Sequence, residues 1–192
     1  ISTSNSSPAI KHSIIRSNKY SGLYIAGDSF PIITESLISN NGWHGIYADY
    51  GKGVNISFST ISNNSYFAVV LSSSNLKMNH CNITGNGYGG IYNNYPDNNI
   101  DIRFNWWGDV TGPSTDGTGP GQYVPPGVNF EPWLGTAYTY PFYNKDLSAS
   151  LQEFSPLNNS AKYTFSISEN SNWTFSIKNS GGSAVKTFTG SG

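Results

Sequence analysis

The sequence predicts an all-β protein: a parallel β-helix solenoid, a Trp-rich C-terminal cap, then a smaller β domain. Three observations predict it. The stretch from Ile38 to Tyr47 occurs four times in altered form, the others running from Ile15 to Tyr24, Ile61 to Val70 and Ile83 to Tyr92. Its Asn column, Asn18, Asn41, Asn64 and Asn86, steps by 23, 23 and 22 residues, a period that marks a solenoid. Charged residues make up 11% and aromatics 15% of the chain, with Gly, Ser, Asn, Thr and Tyr abundant, which disfavours helix and suits strands joined by many turns.

The coils occupy residues 1–108. Counted from the anchor Ile of each repeat, five places before it stand Ile10, Ile33, Ile56 and Met78, and eight after it Leu23, Ile46, Val69 and Ile91. These aliphatic columns must face a shared interior. Leucine-rich repeats are the competing solenoid, but they need a Leu ladder, and Leu is rare here. Two before the anchor stand Ser13, Ser36, Ser59 and Cys81, a small column suited to a tight interior corner. Cys81 therefore reads as a small buried side chain rather than a nucleophile. Asn in its column tolerates the left-handed backbone of a sharp corner, and its amide can bond the Asn one coil away, so Asn18, Asn41, Asn64 and Asn86 are expected to form a structural ladder.

The fifth coil is irregular. Residues 99–104 alternate like a strand, and Asn105-Trp106-Trp107-Gly108 follows. Matching Asn105 to Asn86 gives a step of 19, and matching Phe104 to Ile83 gives 21; the pattern leaves both open. Residues 109–135 are rich in Gly and Pro and carry no repeat. An open solenoid end exposes core and strand edges, and Trp106, Trp107, Phe130 and Trp133 have the bulk to plug it, so this segment is expected to be the cap.

The coils, and above all Asn105-Trp106-Trp107-Gly108-Asp109, Gly112-Pro113-Ser114 and Val128-Asn129-Phe130-Glu131-Pro132-Trp133-Leu134, resemble the right-handed parallel β-helix repeat proteins of the pectate-lyase-like superfamily, over about residues 1–135. The resemblance implies a right-handed helix closed by this motif. Residues 136–150 form a Tyr-rich linker. Residues 151–192 read as paired strands at 163–167, 173–177 and 184–188, with turns at Glu169 to Asn172 and Ser180 to Gly182. With Ser155-Pro156 before them, they resemble the start of the flagellar hook-assembly type of immunoglobulin-like domain. Such a sandwich needs about 100 residues, so a partial immunoglobulin-like β domain is expected.

Composition also narrows function. Ten Lys and Arg against eleven Asp and Glu leave a net charge of −1, with no electrostatic case for nucleic acid. No apolar run reaches the ~20 residues of a membrane span, so no membrane insertion is expected. Cys81 is the one cysteine, which rules out a disulfide within the chain. Sequons stand at Asn5, Asn55, Asn63, Asn82, Asn158 and Asn172; an Asn- and Ser-rich chain makes several by chance, so they are weak evidence of glycosylation. Scarce Cys and low charge point to a secreted or cell-surface location. Beginning without Met and stopping at Gly190-Ser191-Gly192, the sequence reads as a piece of a longer protein, whose remainder would be a partner.

The superfamily implied by the resemblance includes lyases, hydrolases, epimerases and esterases of acidic polysaccharides, which work through clustered carboxylates, calcium, or an Arg or Lys base. No such cluster recurs in one column: Asp28, Asp49, Asp97 and Asp101 are scattered. In the column three before the anchor, His12 and Glu35 can touch, whereas His80 lies about 14 Å from His12 at the sheet spacing. Asp101 and Arg103 share a strand face and can pair. Asp116-Gly117-Thr118-Gly119 reads as a turn. No catalytic residue, metal or cofactor is assigned.

The sharpest functional feature is aromatic. Tyr24, Tyr47, Val70 and Tyr92 follow the inward position and should face out, with Trp43, His44 and Tyr50 at their margin. Such a face suits sugar rings; the plainer account is stacking for stability, and Val70 interrupts the stripe. The expectation is a non-catalytic structural stalk or carbohydrate-contacting scaffold whose partner is a polysaccharide or surface glycan. The alternative is the C-terminal part of a polysaccharide lyase, hydrolase or epimerase.

Overall fold

Each repeat folds into three short strands because aliphatic residues alternate with polar ones between three sharp corners. The computed structural model describes residues 1–95 and 99–139, and beyond them the strands Ser148–Ala149, Tyr163–Thr164, Asn172–Lys178 and Ala184–Ser191. The chain divides into two compact units, Ile1–Thr139 and Tyr140–Gly192.

The first unit is a parallel β-helix. Its first sheet stacks Ser2–Ser4, Leu23–Ala26, Ile46–Asp49, Phe67–Ser72 and Gly89–Asn93. The second stacks Ala9–Lys11, Ile32–Thr34, Gly53–Ser57, Asn75–Asn79 and Ile100–Asp101. The third stacks Ile14–Arg16, Leu37–Ser39, Thr60–Ser62 and Asn82–Thr84. All pairs are parallel and in register: Ile33 lies beside Ile56, Ile38 beside Ile61 and Ile46 beside Val69. Ile33, Ile56, Met78, Ile38, Ile61, Ile83, Leu23, Ile46, Val69 and Ile91 are fully buried in one core. Each contributes about 1.5–3 kcal/mol of apolar burial.

Two of the corners follow one pattern. A residue with left-handed φ turns the chain outward, and the next residue points a small polar side chain inward. At the corner between the second and third sheets the left-handed residues are His12, Glu35, Phe58, His80 and Phe104. Ser36 and Ser59 follow two of them, and their Oγ atoms accept the backbone N–H of Ser13 (3.2 Å) and Ser36 (3.1 Å) one coil earlier. Cys81 takes the same place, fully buried, its Sγ donating to the Asn79 carbonyl at 3.2 Å and its thiol pushed up to about 12 by burial.

At the corner between the third and first sheets the left-handed residues are Ser17, Asn40, Asn63 and Gly85, each one place before the Asn column. The expectation that the column itself adopts the left-handed conformation is corrected: the side chain that makes the ladder must point inward, and the preceding residue makes the bend. The ladder itself is complete. Asn18, Asn41 and Asn64 each donate Nδ2 to the Oδ1 of the next Asn, at 2.8, 2.9 and 2.9 Å. The same oxygens accept the backbone N–H at 3.2, 3.1 and 3.1 Å. Gly22 and Gly45 pass so close to this ladder that a Cβ would meet Asn41 Nδ2 at 2.8 Å and Asn64 Nδ2 at 2.9 Å.

The fifth coil keeps the register, but neither sequence alignment of it holds. Ile100 lies beside Leu76 and Asp101 beside Lys77, Trp106 bridges Asn82, and Trp107 thus takes the anchor position. Asn105 stands under Cys81, its Oδ1 accepting the Cys81 N–H at 2.8 Å while Nδ2 donates to the Met78 and Ile102 carbonyls. A larger side chain in the small column, and a Trp for the anchor Ile, hid the match.

Trp107 is fully buried and closes the core. Phe130 and Trp133 are half-buried against it, 6.2 Å apart, and the Trp133 indole donates to the Val110 carbonyl at 3.2 Å. Trp106, expected as part of the plug, points outward and is half-buried, because strand alternation turns it away from its inward neighbour. The chain returns at Gln122, whose Oε1 accepts the Asn86 N–H (3.1 Å) and Nδ2 (3.2 Å) and terminates the amide ladder. Residues 136–139, expected to begin a linker, lie against the coils: the Asn82 side chain exchanges hydrogen bonds of 2.8 and 2.7 Å with the Tyr138 backbone.

In the second unit Asn172–Lys178 and Ala184–Ser191 form an antiparallel pair with Phe175 beside Phe188. Tyr163–Thr164 pairs antiparallel with Ser148–Ala149, which comes from the stretch expected as linker. Asp97, Ser155-Pro156 and most of the expected turn residues lie outside the described residues.

Candidate functional site

In the first sheet Leu23–Ala26 and Ile46–Asp49 alternate, so residues flanking their buried aliphatics turn outward, whereas Phe67–Ser72 is buried along most of its length. Tyr24 and Tyr47 are in register there, with ring centroids 5.6 Å apart. Val70 is in register between Tyr47 and Tyr92 but is only 4% exposed, since the larger flanking rings overshadow it. Tyr92 therefore reaches the others by another route, through Phe67 at 5.1 Å and Phe67 to His44 at 6.2 Å.

A second aromatic column runs along the neighbouring corner: Tyr20, Trp43, Tyr66 and Tyr88, all exposed. Tyr66 and Tyr88 stack on each other, 4.9 Å and 4° apart. Trp43 stands edge-to-face with both rung neighbours, at 75° to Tyr20 and 72° to Tyr66. His44 links the columns, 5.8 Å from Trp43, 6.0 Å from Tyr47 and 5.6 Å from Tyr66. Burial lowers its pKa, and Nδ1 accepts the Phe67 backbone N–H at 3.3 Å, so the neutral ring carries its proton on Nε2.

Polar groups border the rings. The Tyr24 hydroxyl donates to Asp49 Oδ2 at 2.7 Å, and that hydrogen bond holds the phenol pKa up. One coil on, the Tyr47 and Ser72 hydroxyls lie 3.4 Å apart, and Asn94 Nδ2 donates to Ser72 Oγ at 3.0 Å. The Tyr50 and Tyr95 hydroxyls meet at 3.1 Å beyond them. The result is an exposed aromatic face with a hydroxyl- and carboxylate-bearing margin.

Residues 1–106 match the family model described as the right handed beta helix region. The chain belongs to that family. No curated protein and no solved structure matches it. In this right-handed β-helix, Trp43, His44, Tyr24 and Tyr47 come together as one patch, and Tyr92 joins it only through Phe67. Phe67, Asp49 and Ser72 were missed by the sequence columns. Phe67 falls in the same column as His44, one place after the aromatic column, and that shared place was the available signal.

Other candidate residues go elsewhere. His12 Nδ1 meets Glu35 Oε2 at 2.9 Å on an exposed corner. His80 is stacked between Phe58 (5.2 Å) and Phe104 (5.9 Å). Arg103 grips Asp101 with two hydrogen bonds of 2.8 Å and lowers its pKa. Asp116 Oδ1 is engaged by the Thr118 N–H and hydroxyl at 2.9 and 2.8 Å, as in a turn. Among the described residues no group of three or more His, Cys, Asp or Glu is placed to hold a metal ion.

Proposed function

We propose that this right-handed β-helix is a non-catalytic secreted or cell-surface module, a rigid scaffold whose first sheet contacts a glycan. The observation that carries the reading is the patch of exposed Trp43 and Tyr24 with half-buried His44 and Tyr47, at the first sheet and its adjoining corner, where nothing in the core requires aromatics. Flat apolar rings with hydroxyls at their edge suit the apolar faces and polar rims of sugars. The surface location rests on composition, and the kinship with the pectate-lyase-like superfamily rests on the coil pattern and the Asn105 to Gly108 and Phe130 to Leu134 motifs. The antiparallel pair Asn172–Lys178 with Ala184–Ser191 fits an immunoglobulin-like appendage.

A glycan array probed with the intact chain and with Trp43→Ala and Tyr47→Ala tests this. Binding that falls about tenfold or more in either variant supports the reading. Release of products from polysaccharides would overturn its non-catalytic part, and unchanged binding in both variants would move the contact elsewhere.

A further inference from the structure

The same patch carries information about which glycans it takes, an inference that rests on the carbohydrate reading above. Its polar margin is rich in acceptors. Asp49 receives the Tyr24 hydroxyl on Oδ2, and among the described residues Oδ1 receives no protein donor. The Tyr47 hydroxyl is only 3.4 Å from Ser72, a contact loose enough for a ligand hydroxyl to replace. The strand register places Asp49 beside Ser72, which is 4% exposed, and Ser72 accepts Asn94 on the next coil, about 4.8 Å per coil, along a line parallel to the rings. One cation, Lys19, lies at the Tyr20 end of the aromatic column, its Nζ 5.5 Å over the Tyr20 centroid.

We infer that the patch selects neutral, hydroxyl-rich glycan segments over uronate-bearing or sulfated ones, with Asp49 as the specificity-determining residue. A carboxylate with an open oxygen accepts sugar hydroxyls well through charge-assisted hydrogen bonds. The same carboxylate repels a ligand carboxylate or sulfate, a rejection built from charge rather than shape. Trp43 supplies the ring platform, and the Tyr24 hydroxyl fixes the Asp49 carboxylate.

Titration calorimetry with chain-length-matched neutral and uronate-bearing oligosaccharides, on the intact chain and on Asp49→Asn, tests the assignment. The wild type is expected to bind the neutral series and to bind uronates about tenfold more weakly. Asp49→Asn keeps an acceptor for Tyr24 and should narrow that gap chiefly by improving uronate binding. Uronates bound as tightly as neutral sugars by the wild type, or an unchanged gap in Asp49→Asn, would overturn the charge assignment and leave glycan contact standing. Failure of every glycan to bind would remove both.

Discussion

Asn41 and Asn64 are joined twice: Asn41 gives both its side-chain Nδ2, at 2.9 Å, and its backbone N–H, at 3.1 Å, to the single oxygen Oδ1 of Asn64. Asn64 in turn donates to Asn86 and to the Ile38 carbonyl at 3.2 Å. The corner is therefore held by side chains that do the work of a backbone ladder where the strands are broken.

Asn64→Ala should accordingly destabilise the coils by about 2–4 kcal/mol, because it strands two buried donors and a carbonyl rather than deleting one bond. Urea denaturation followed by far-ultraviolet circular dichroism measures it. A loss no larger than that of a surface Asn outside the left-handed corner positions, such as Asn99→Ala, would show the ladder to be incidental.

Cys81→Ser restores the residue type of Ser36 and Ser59 and is expected to change stability at neutral pH by no more than about 1 kcal/mol. The sign of its pH effect is definite. The folded thiol titrates at about 12 against 9.0 for the ordinary group. Above the unfolded value the unfolded chain sheds the proton and the folded chain keeps it, so stability is lost as pH rises from the lower value toward the higher. The wild type should lose more stability between neutral pH and the upper end of that window than Cys81→Ser does. In native protein the thiol should resist alkylation until the coils open.

Two adjacent tryptophans should behave oppositely. Trp107→Ala empties the end of the core and is expected to cost about 3–5 kcal/mol. Trp106→Ala, on the outward side, should cost well under half as much. Comparable losses from the two in denaturant melts would contradict the alternation that separates them.

His44 predicts an acid sensitivity. Burial holds its pKa below 6.5. As pH falls below 6.5 the unfolded chain takes up the proton more readily, and stability declines until the folded pKa is passed. Protonation also removes the acceptor of the Phe67 N–H. His44→Gln, which can still accept that bond, should show a shallower fall in melting temperature between pH 7 and 5.

Most of the solenoid was legible because its information is periodic. Ile33, Ile56 and Met78, or Leu23, Ile46 and Val69, recur at a fixed step, and a parallel stack converts a fixed step into contact. What the columns hid were effects across them. A left-handed bend displaces the strained residue to Asn40 and Asn63, although their neighbours Asn41 and Asn64 carry the pattern. Trp107 replaces an anchor Ile where the core must end, and its size broke the alignment. Of the candidate site, Tyr24, Tyr47, Trp43 and His44 were readable as outward aromatics. The Tyr24 to Asp49 bond was not, because it runs diagonally between one coil's column and a different column of the next. Tyr163 was placed in a strand, but its partner, Ser148–Ala149, sits in a stretch that carries no strand pattern of its own.

The corner ladders have a mechanical consequence. Successive coils are joined chiefly to their neighbours, by strand hydrogen bonds, by the shared aliphatic core and by the single files of Ser and Asn side chains, with the Tyr50 to Tyr95 contact reaching across two coils. A pull directed along the axis therefore loads the coils in series, and the first to yield is an end coil. Each one released frees about the 23 residues of a repeat, or roughly 75–83 Å of extended chain. Under tension the protein should lengthen in even steps of that size, with the files of Asn41, Asn64 and Asn86 acting as the catches of a ratchet.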